Sequence, residues 1–236
     1  MSRVRVVGFD LDGTLFDHRG SATTGVREFL RGLGVEPTDE IVTFWFAVEG
    51  AEFEQWRAGR ITFGEQRRRR LRRVLAELGI NHTDDPDDLD RLFDRYLIDY
   101  ERAWRLYPDV TEVLAMLRQR GLRLGLLTNG SEDQQRRKLS VTGLDDHFDA
   151  ICVSEAIGAQ KPDRAAFLAL ARSLQVEPHS CLFIGDNPEQ DVVGAIRAGM
   201  RAARIERDRA GAPGLAAVID AALAAAADEG PEAWHL

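Results

Sequence analysis

Cysteine is scarce: the 236-residue chain has two, Cys152 and Cys181, both inside apolar strand-like runs. That leaves no disulfide framework and no thiolate metal site, and both read as small buried hydrophobes. Long apolar runs are absent, and the N-terminal MSRVRVVGFD carries neither an h-region nor a cleavage pattern. A cytoplasmic protein with no membrane partner is the expectation. Positive charge is in deficit, with a formal net charge of −8. A phosphate backbone or anionic membrane surface wants a basic field, so a nucleic-acid polymer is not an expected partner. There is no internal repeat, and the Ala-rich stretch near the C-terminus reflects helix propensity. The length suits one large domain or two small ones with a core that needs no staples.

The stretch that organises the rest is VRVVGFDLDGTLF, Val4 to Phe16. Val4, Val6, Val7 and Phe9 form the β-branched and aromatic run of a strand buried on both faces. It breaks at Asp10 and Asp12 and a Gly-Thr turn. Ligands of an open α/β sheet bind beyond the carboxyl ends of its strands, so this acidic loop stands where chemistry is usually done. An acidic pair there needs a cation or a proton, although Asp and Gly also make ordinary turns.

The next convincing buried strand, Leu122 to Leu127, lies over a hundred residues past Asp10. A βαβ crossover needs a dozen or so, so something is inserted. The insert is helical throughout, with helices predicted over Thr23–Leu33, Asp39–Ala58, Thr62–Leu78 and Pro86–Trp104. Leu71, Val74, Leu75 and Leu78 give one apolar stripe, closed by Gly79. The run Arg67 to Arg70, with Arg72 and Arg73, reads as a solvated face balanced by the acidic loop Asp84 to Asp90, with an anion-binding patch as the alternative. Phe44, Trp45, Phe46 and Trp56 read as core of the insert.

After the insert the α/β pattern resumes. A helix Val110–Arg120 leads to LRLGLLTNG, ending at Thr128, Asn129 and Gly130. Ser131 with Gln134 predicts a capping box for the next helix. A hydroxyl beside free helix N-terminal amides is a natural phosphate seat, though Thr128 and Asn129 could equally be caps. A strand AICVS follows, then Lys161-Pro162-Asp163 opening a helix Arg164–Leu174, with Pro162 placed in its first turn. Taken alone, Lys161 reads as a surface lysine. The strand CLFIG delivers Asp186, and NPEQ sets Asp191 at the next helix start, a pairing that suits an oxygen-ligated hard cation such as magnesium. A last strand Ala202–Ile205, a helix Leu215–Ala227 and a weakly ordered tail DEGPEAWHL complete the chain.

DLDGTL, LLTNG, Lys161-Pro162-Asp163 and GDNPEQD, in this order and each at a strand end, resemble the four motifs of the haloacid dehalogenase superfamily. A helical insert directly after the first motif is similar to the branch with phosphoglycolate phosphatases, β-phosphoglucomutase, 5′-nucleotidase-like phosphatases and the dehalogenases themselves. The resemblance implies an α/β fold: a Rossmann-like parallel sheet in the order 3-2-1-4-5 with an inserted four-helix cap. Residues 1–16 and 104–236 would form the catalytic core and 17–103 the cap. That order leaves two strands between Cys152 and Cys181, on the order of 14 Å at the usual spacing, too far for a disulfide.

The resemblance also implies roles. Asp10 would be the nucleophile at phosphorus, and Asp12 the acid and base that serves the leaving oxygen and then water. Magnesium would sit on Asp10, the Asp12 carbonyl and Asp186, with Asp191 as an outer ligand or anchor. Thr128, Asn129, Gly130 and Lys161 would hold the phosphoryl oxygens. The expected activity is hydrolysis of a small phosphate monoester through an aspartyl-phosphate. A 2-haloacid dehalogenase is disfavoured, because the family's dehalogenases lack Asp12, a halide leaving without a proton. The alternatives are a phosphomutase of the same family, which depends on cap residues of which the sequence shows no recognisable set, and a non-enzymatic binding protein that kept the fold, which would be expected to lose Asp10, Lys161 or Asp186, all three present. His18 and Arg60 are candidate substrate contacts, and the expected assembly is a monomer or homodimer.

Overall fold

A computed structural model of the chain describes residues 4–81 and 84–228. The tail from 229 onward lies outside the described residues. The chain divides into two compact units, Met1–His18 with Arg105–Leu236, and Arg19–Trp104.

The first unit is built on a five-stranded parallel sheet in the order β3-β2-β1-β4-β5. The strands are β1 (Val6–Phe9), β2 (Arg123–Thr128), β3 (Ala150–Val153), β4 (Cys181–Gly185) and β5 (Arg201–Arg204). Every residue of β1 and β4 is buried, as continuous apolar runs require when a strand has neighbours on both edges and helices on both faces. In-register pairing of Phe9 with both Leu126 and Ile184 brings the ends of three strands together. Asp10, Thr128 and Asp186, each at or just past one of those ends, therefore share one edge of the sheet. The expected topology holds, and both cysteines are free and buried.

Helices of this unit are α5 (Val110–Gln119), α6 (Glu132–Thr142), the short α7 (Ser154–Ile157), α8 (Arg164–Ser173), α9 (Gly194–Arg197) and α10 (Leu215–Asp228). Three local expectations fail. Ser131 makes no capping bond; the amide of Glu132 donates instead to Glu155 Oε2 at 2.8 Å, and Gln134 has no part in a capping box. Pro162 precedes α8 rather than sitting in its first turn, because Asp163 is the cap, accepting from the Ala165 amide. Helical structure after β4 begins at Pro188 as a π-helical turn, Pro188–Val193, so Asp191 lies inside a turn rather than at a helix start. The wide turn carries the Asp191 side chain back toward β4, where it is 1 % exposed.

The second unit comprises α1 (His18–Gly32), whose first residue belongs to the sheet unit, α2 (Asp39–Arg57), α3 (Phe63–Glu77) and α4 (Pro86–Arg102). The start of α1 falls about a turn and a half before the expected Thr23. Thr38, Thr62 and Asp85 cap the other three with their side chains. Of the four aromatics assigned to its core, Trp45 is fully buried, packed on Phe29 and Tyr96. Phe44, Phe46 and Trp56 are only half-buried. The arginine run matches the expected solvated face in part: Arg69 and Arg73 are exposed and Arg68 and Arg72 pair with Asp90 and Asp84 of the acidic loop, whereas Arg70 is buried. Arg70 is 3 % exposed, 2.7 Å from Glu49, with its guanidinium over the Trp45, Phe93 and Tyr96 rings. Arg68 grips Asp90 through two 2.8 Å bonds, and Arg73 pairs with Glu52 at 2.9 Å. These arginines bind their own unit's carboxylates.

No described helix is long and apolar enough to cross a membrane.

Candidate active site

The turn after β1 is held by its own backbone. The Asp10 amide donates to Ile184 O at 2.9 Å, and Leu11 O accepts from Thr14, Leu15 and Phe16. Gly13 has φ +84°, and a Cβ there would lie 2.5 Å from Asp186 Oδ2, so only glycine lets the two acidic loops touch. Gly185 does the same for the other carboxylate: a Cβ on it would stand 2.3 Å from Asp191 Cγ.

Into this space come Asp10, Asp186 and Asp191, each offering a carboxylate oxygen within 4.8 Å of the others. Lys161 Nζ donates to Asp10 Oδ1 at 2.5 Å and to Asp191 Oδ1 at 2.7 Å. The second Asp191 oxygen accepts from the Asn187 amide at 2.9 Å, which leaves that side chain fully engaged. Burial, with Lys161 opposing it and the neighbouring carboxylates reinforcing it, pushes Asp10 well above the usual carboxylate range. Burial and then Asp191 push Asp186 up to about 6. For Lys161, burial disfavours the ammonium, yet Asp10 and Asp191 together raise it above its ordinary value.

Asn129 reads both edges of the Lys161 backbone, donating to its carbonyl at 2.9 Å and accepting from its amide at 2.8 Å. Its side chain thus fixes the lysine loop. The Gly130 amide donates to Ser154 Oγ at 3.0 Å, and Thr128, 1 % exposed, accepts at Oγ1 from Gln135 Nε2 at 2.6 Å.

Asp12 is not one of the acidic trio and has partners of its own. Its Oδ1 accepts from Lys138 Nζ at 2.6 Å and its Oδ2 from Gln135 Nε2 at 2.9 Å. Burial alone would raise its pKa, but Lys138 and then His18 outweigh that and hold the carboxyl below the usual range. His18 Nδ1 lies 3.9 Å from Asp12 Oδ1, so this candidate stands beside the site. Arg60 belongs to the second unit, where it donates to Gln55 Oε1 at 3.1 Å.

Lys138 and Gln135 escaped the sequence reading because no motif contains them. A signal for Lys138 was nonetheless present. Of the 31 lysines and arginines only two are lysine, Lys138 and Lys161, and they end on the two carboxylates of the DLD motif. Arg207, also unforeseen, steadies the turn from behind: it donates to Thr14 O at 2.8 and 3.0 Å, chelates Asp109 at 2.9 Å and lies over the Tyr107 ring.

A divalent cation fits this donor set. Four carboxylates, Asp10, Asp12, Asp186 and Asp191, face two ammonium groups, so the ionised cluster carries two negative charges that the described residues do not neutralise. All-oxygen donors with a surplus of charge are what a hard ion such as magnesium takes.

The model for haloacid dehalogenase-like hydrolases matches residues 4–199, and the chain belongs to that family of hydrolases. A phosphoserine phosphatase of Thermus thermophilus is 43 % identical over 106 residues, 45 % of this chain and 43 % of that protein, so here the chain spans less than half of its relative. A phosphoglycolate phosphatase of Rhodospirillum rubrum is 31 % identical over 202 residues, 83 % of this chain and 77 % of that one. Among solved structures, the HAD-hydrolase YfnB of Bacillus subtilis, bound to magnesium, superposes with a TM-score of 0.77 at 24 % identity, covering 89 % of this chain and 92 % of that one. This last likeness is one of fold.

Proposed function

We propose that this hydrolase is a magnesium-dependent phosphatase that cleaves a small phosphate monoester through an aspartyl-phosphate on Asp10. The observation that carries the reading is the pairing of each DLD carboxylate with one buried lysine, Asp10 with Lys161 and Asp12 with Lys138. The phosphatases among its relatives support the same chemistry.

With the ester bound as its monoanion and its proton passed to the Asp12 carboxylate, an Asp10 oxygen attacks phosphorus, the bond from phosphorus to the leaving oxygen breaks, and its electron pair stays on that oxygen, which takes the proton from Asp12. Water then attacks the phosphoryl group and gives a proton to Asp12. The Asp10–phosphorus bond breaks, phosphate leaves with that proton, and both aspartates are restored as carboxylates. Asp10, Asp186 and the Asp12 carbonyl would hold magnesium, with Asp191 as its anchor, since both Asp191 oxygens already accept from Lys161 and Asn187. Bound there, the ion supplies charge neutralisation between two anions and polarises a phosphoryl oxygen. Lys161 and the Thr128 hydroxyl meet the same oxygens as charge spreads in the transition state, with the Asn129 and Gly130 stretch shaping the seat around them. Residues 17–103 would select the leaving group, as the caps of the family do, with His18 and Arg60 as candidate substrate contacts. The substrate is a nucleotide, sugar phosphate or phosphoglycolate-like molecule in the cytoplasm, and the enzyme works as a monomer or homodimer.

The test is hydrolysis of an aryl phosphate by the wild type with magnesium, with chelator, and by Asp10→Asn with magnesium. Turnover that needs both the metal and Asp10 is the expected result. Halide release from a 2-haloacid with no phosphatase activity would overturn it. Silence in both assays would shift the reading to a phosphomutase or a binding protein.

A further inference from the structure

We propose that Lys138 and Gln135 are positioning residues that hold Asp12 in the orientation from which it passes its proton to the leaving oxygen. The proposal rests on the phosphatase reading above and names the part of the molecule that makes Asp12 effective.

A carboxylate on a turn swings about two side-chain torsions, and proton transfer demands that one oxygen lie in line with the departing one. Here both oxygens of Asp12 are spoken for from a single helix. Residues 135 and 138 are three apart on α6 and so share a face. Lys138 meets Oδ1 at 2.6 Å and Gln135 meets Oδ2 at 2.9 Å. The same Gln135 amide reaches Thr128 Oγ1 at 2.6 Å. The acid–base group and the hydroxyl at the phosphate seat are therefore tied to one side chain, and a shift of either moves the other.

Burial makes the arrangement stiff. The Lys138 side chain is 4 % exposed and its ammonium lies 5.0 Å from the Phe16 ring centroid, while Gln135 is 1 % exposed. The choice of residue is informative as well. A chain that uses arginine 29 times places its two lysines on Asp10 and Asp12. A guanidinium presents a planar fork that tends to take both oxygens of a carboxylate. An ammonium is a compact point charge that can take one, leaving the other to Gln135.

A residue that only stabilises the fold would lower turnover of every substrate alike. A residue that aims a general acid matters most where the leaving oxygen most needs a proton. The experiment is therefore a series of monoesters from p-nitrophenyl phosphate through phenyl phosphate to an alkyl phosphate, read as kcat/KM, which reports the steps up to phosphoryl transfer. Lys138→Met should lose about 100- to 1,000-fold on the alkyl ester, within the range that general acid catalysis supplies, and several-fold on the nitrophenyl ester. The plot against leaving-group pKa steepens. Gln135→Met should steepen it in the same sense, and it carries the test if the lysine variant does not fold. Added ethylammonium should restore part of the alkyl-ester activity of Lys138→Ala. Parallel losses across the series, with wild-type activity still abolished by Asp10→Asn, would overturn the positioning role and leave the phosphatase reading standing. A wild type inert towards every ester would overturn both.

Discussion

Without a bound cation this protein should have a stability that falls as pH rises, against the usual behaviour of a carboxylate-rich chain. The Asp186 carboxyl is pushed from its ordinary 3.8 to about 6, by burial first and by Asp191 second. A folded-state pKa above the unfolded one means that the folded chain keeps a proton which the unfolded chain has released. The associated stability is complete below about 3.8 and is lost as pH climbs through about 6. Between pH 4.5 and 7 the loss integrates to about 2 kcal/mol, or roughly 4–8 °C in Tm for a chain of this length. Asp10, raised for related reasons, adds in the same direction. Asp12, Asp109 and Asp149 have lowered values, so their contribution is lost as pH falls through those values, outside this window. The assay is thermal unfolding of the chelator-treated protein across that range, wild type beside Asp186→Asn. The wild type should lose about 2 kcal/mol more than the variant from low to high pH. Magnesium should stabilise the wild type most at the alkaline end, where the site is ionised and the ion replaces the missing charge. Equal slopes for the two proteins, or a wild type that gains on the variant as pH rises, would refute the electrostatic account of this cluster.

Gly185→Ala would set a Cβ 2.3 Å from Asp191 Cγ and drive that carboxylate off Lys161. Phosphatase activity should fall at least 100-fold, with a stability loss of about 1–3 kcal/mol in urea unfolding. Arg207→Met strips Thr14 O of two donors and Asp109 of its ion pair, so a loss of about 2–3 kcal/mol is expected by the same measurement. Arg70→Met in the helical unit leaves Glu49 without its 2.7 Å guanidinium partner and should cost about 3–5 kcal/mol in urea, whereas the double variant with Glu49→Leu should recover much of it.

What the sequence made legible follows from which interactions are local. Strands of a parallel sheet announce themselves as unbroken β-branched runs, and Asp10, Thr128 and Asp186 were singled out because each sits where such a run stops. Helix faces announce themselves less well. The arginine run looked solvated because a helix of this pattern can turn either face outward. That α2 supplies Glu49 and Glu52 opposite Arg70 and Arg73 is a tertiary fact, and burial of Arg70 follows from it. The missing capping box has a similar cause. Ser131 fitted the local rule, but Glu155, 23 residues downstream of Glu132, takes the Glu132 amide, the first of α6.

The same logic explains why half of the Asp12 environment stayed hidden. Lys138 lies 126 residues from the carboxylate it holds, on a helix whose outer positions are mostly polar, so neither motif spacing nor apolar periodicity marks it. Composition could have marked it. Among the described residues arginine supplies carboxylate partners in both units, two-pronged on Asp90 and on a single oxygen of Glu52 and Asp149. The two lysines bring a compact ammonium to one oxygen of Asp10 and one of Asp12. On Asp10 the other oxygen is the one that attacks phosphorus in the proposed mechanism. On Asp12 it is the oxygen that Gln135 must hold. A guanidinium in either place would tend to close over both oxygens and compete with the proposed chemistry, so in this arginine-rich chain the rare cation is itself a pointer to the two carboxylates proposed to react.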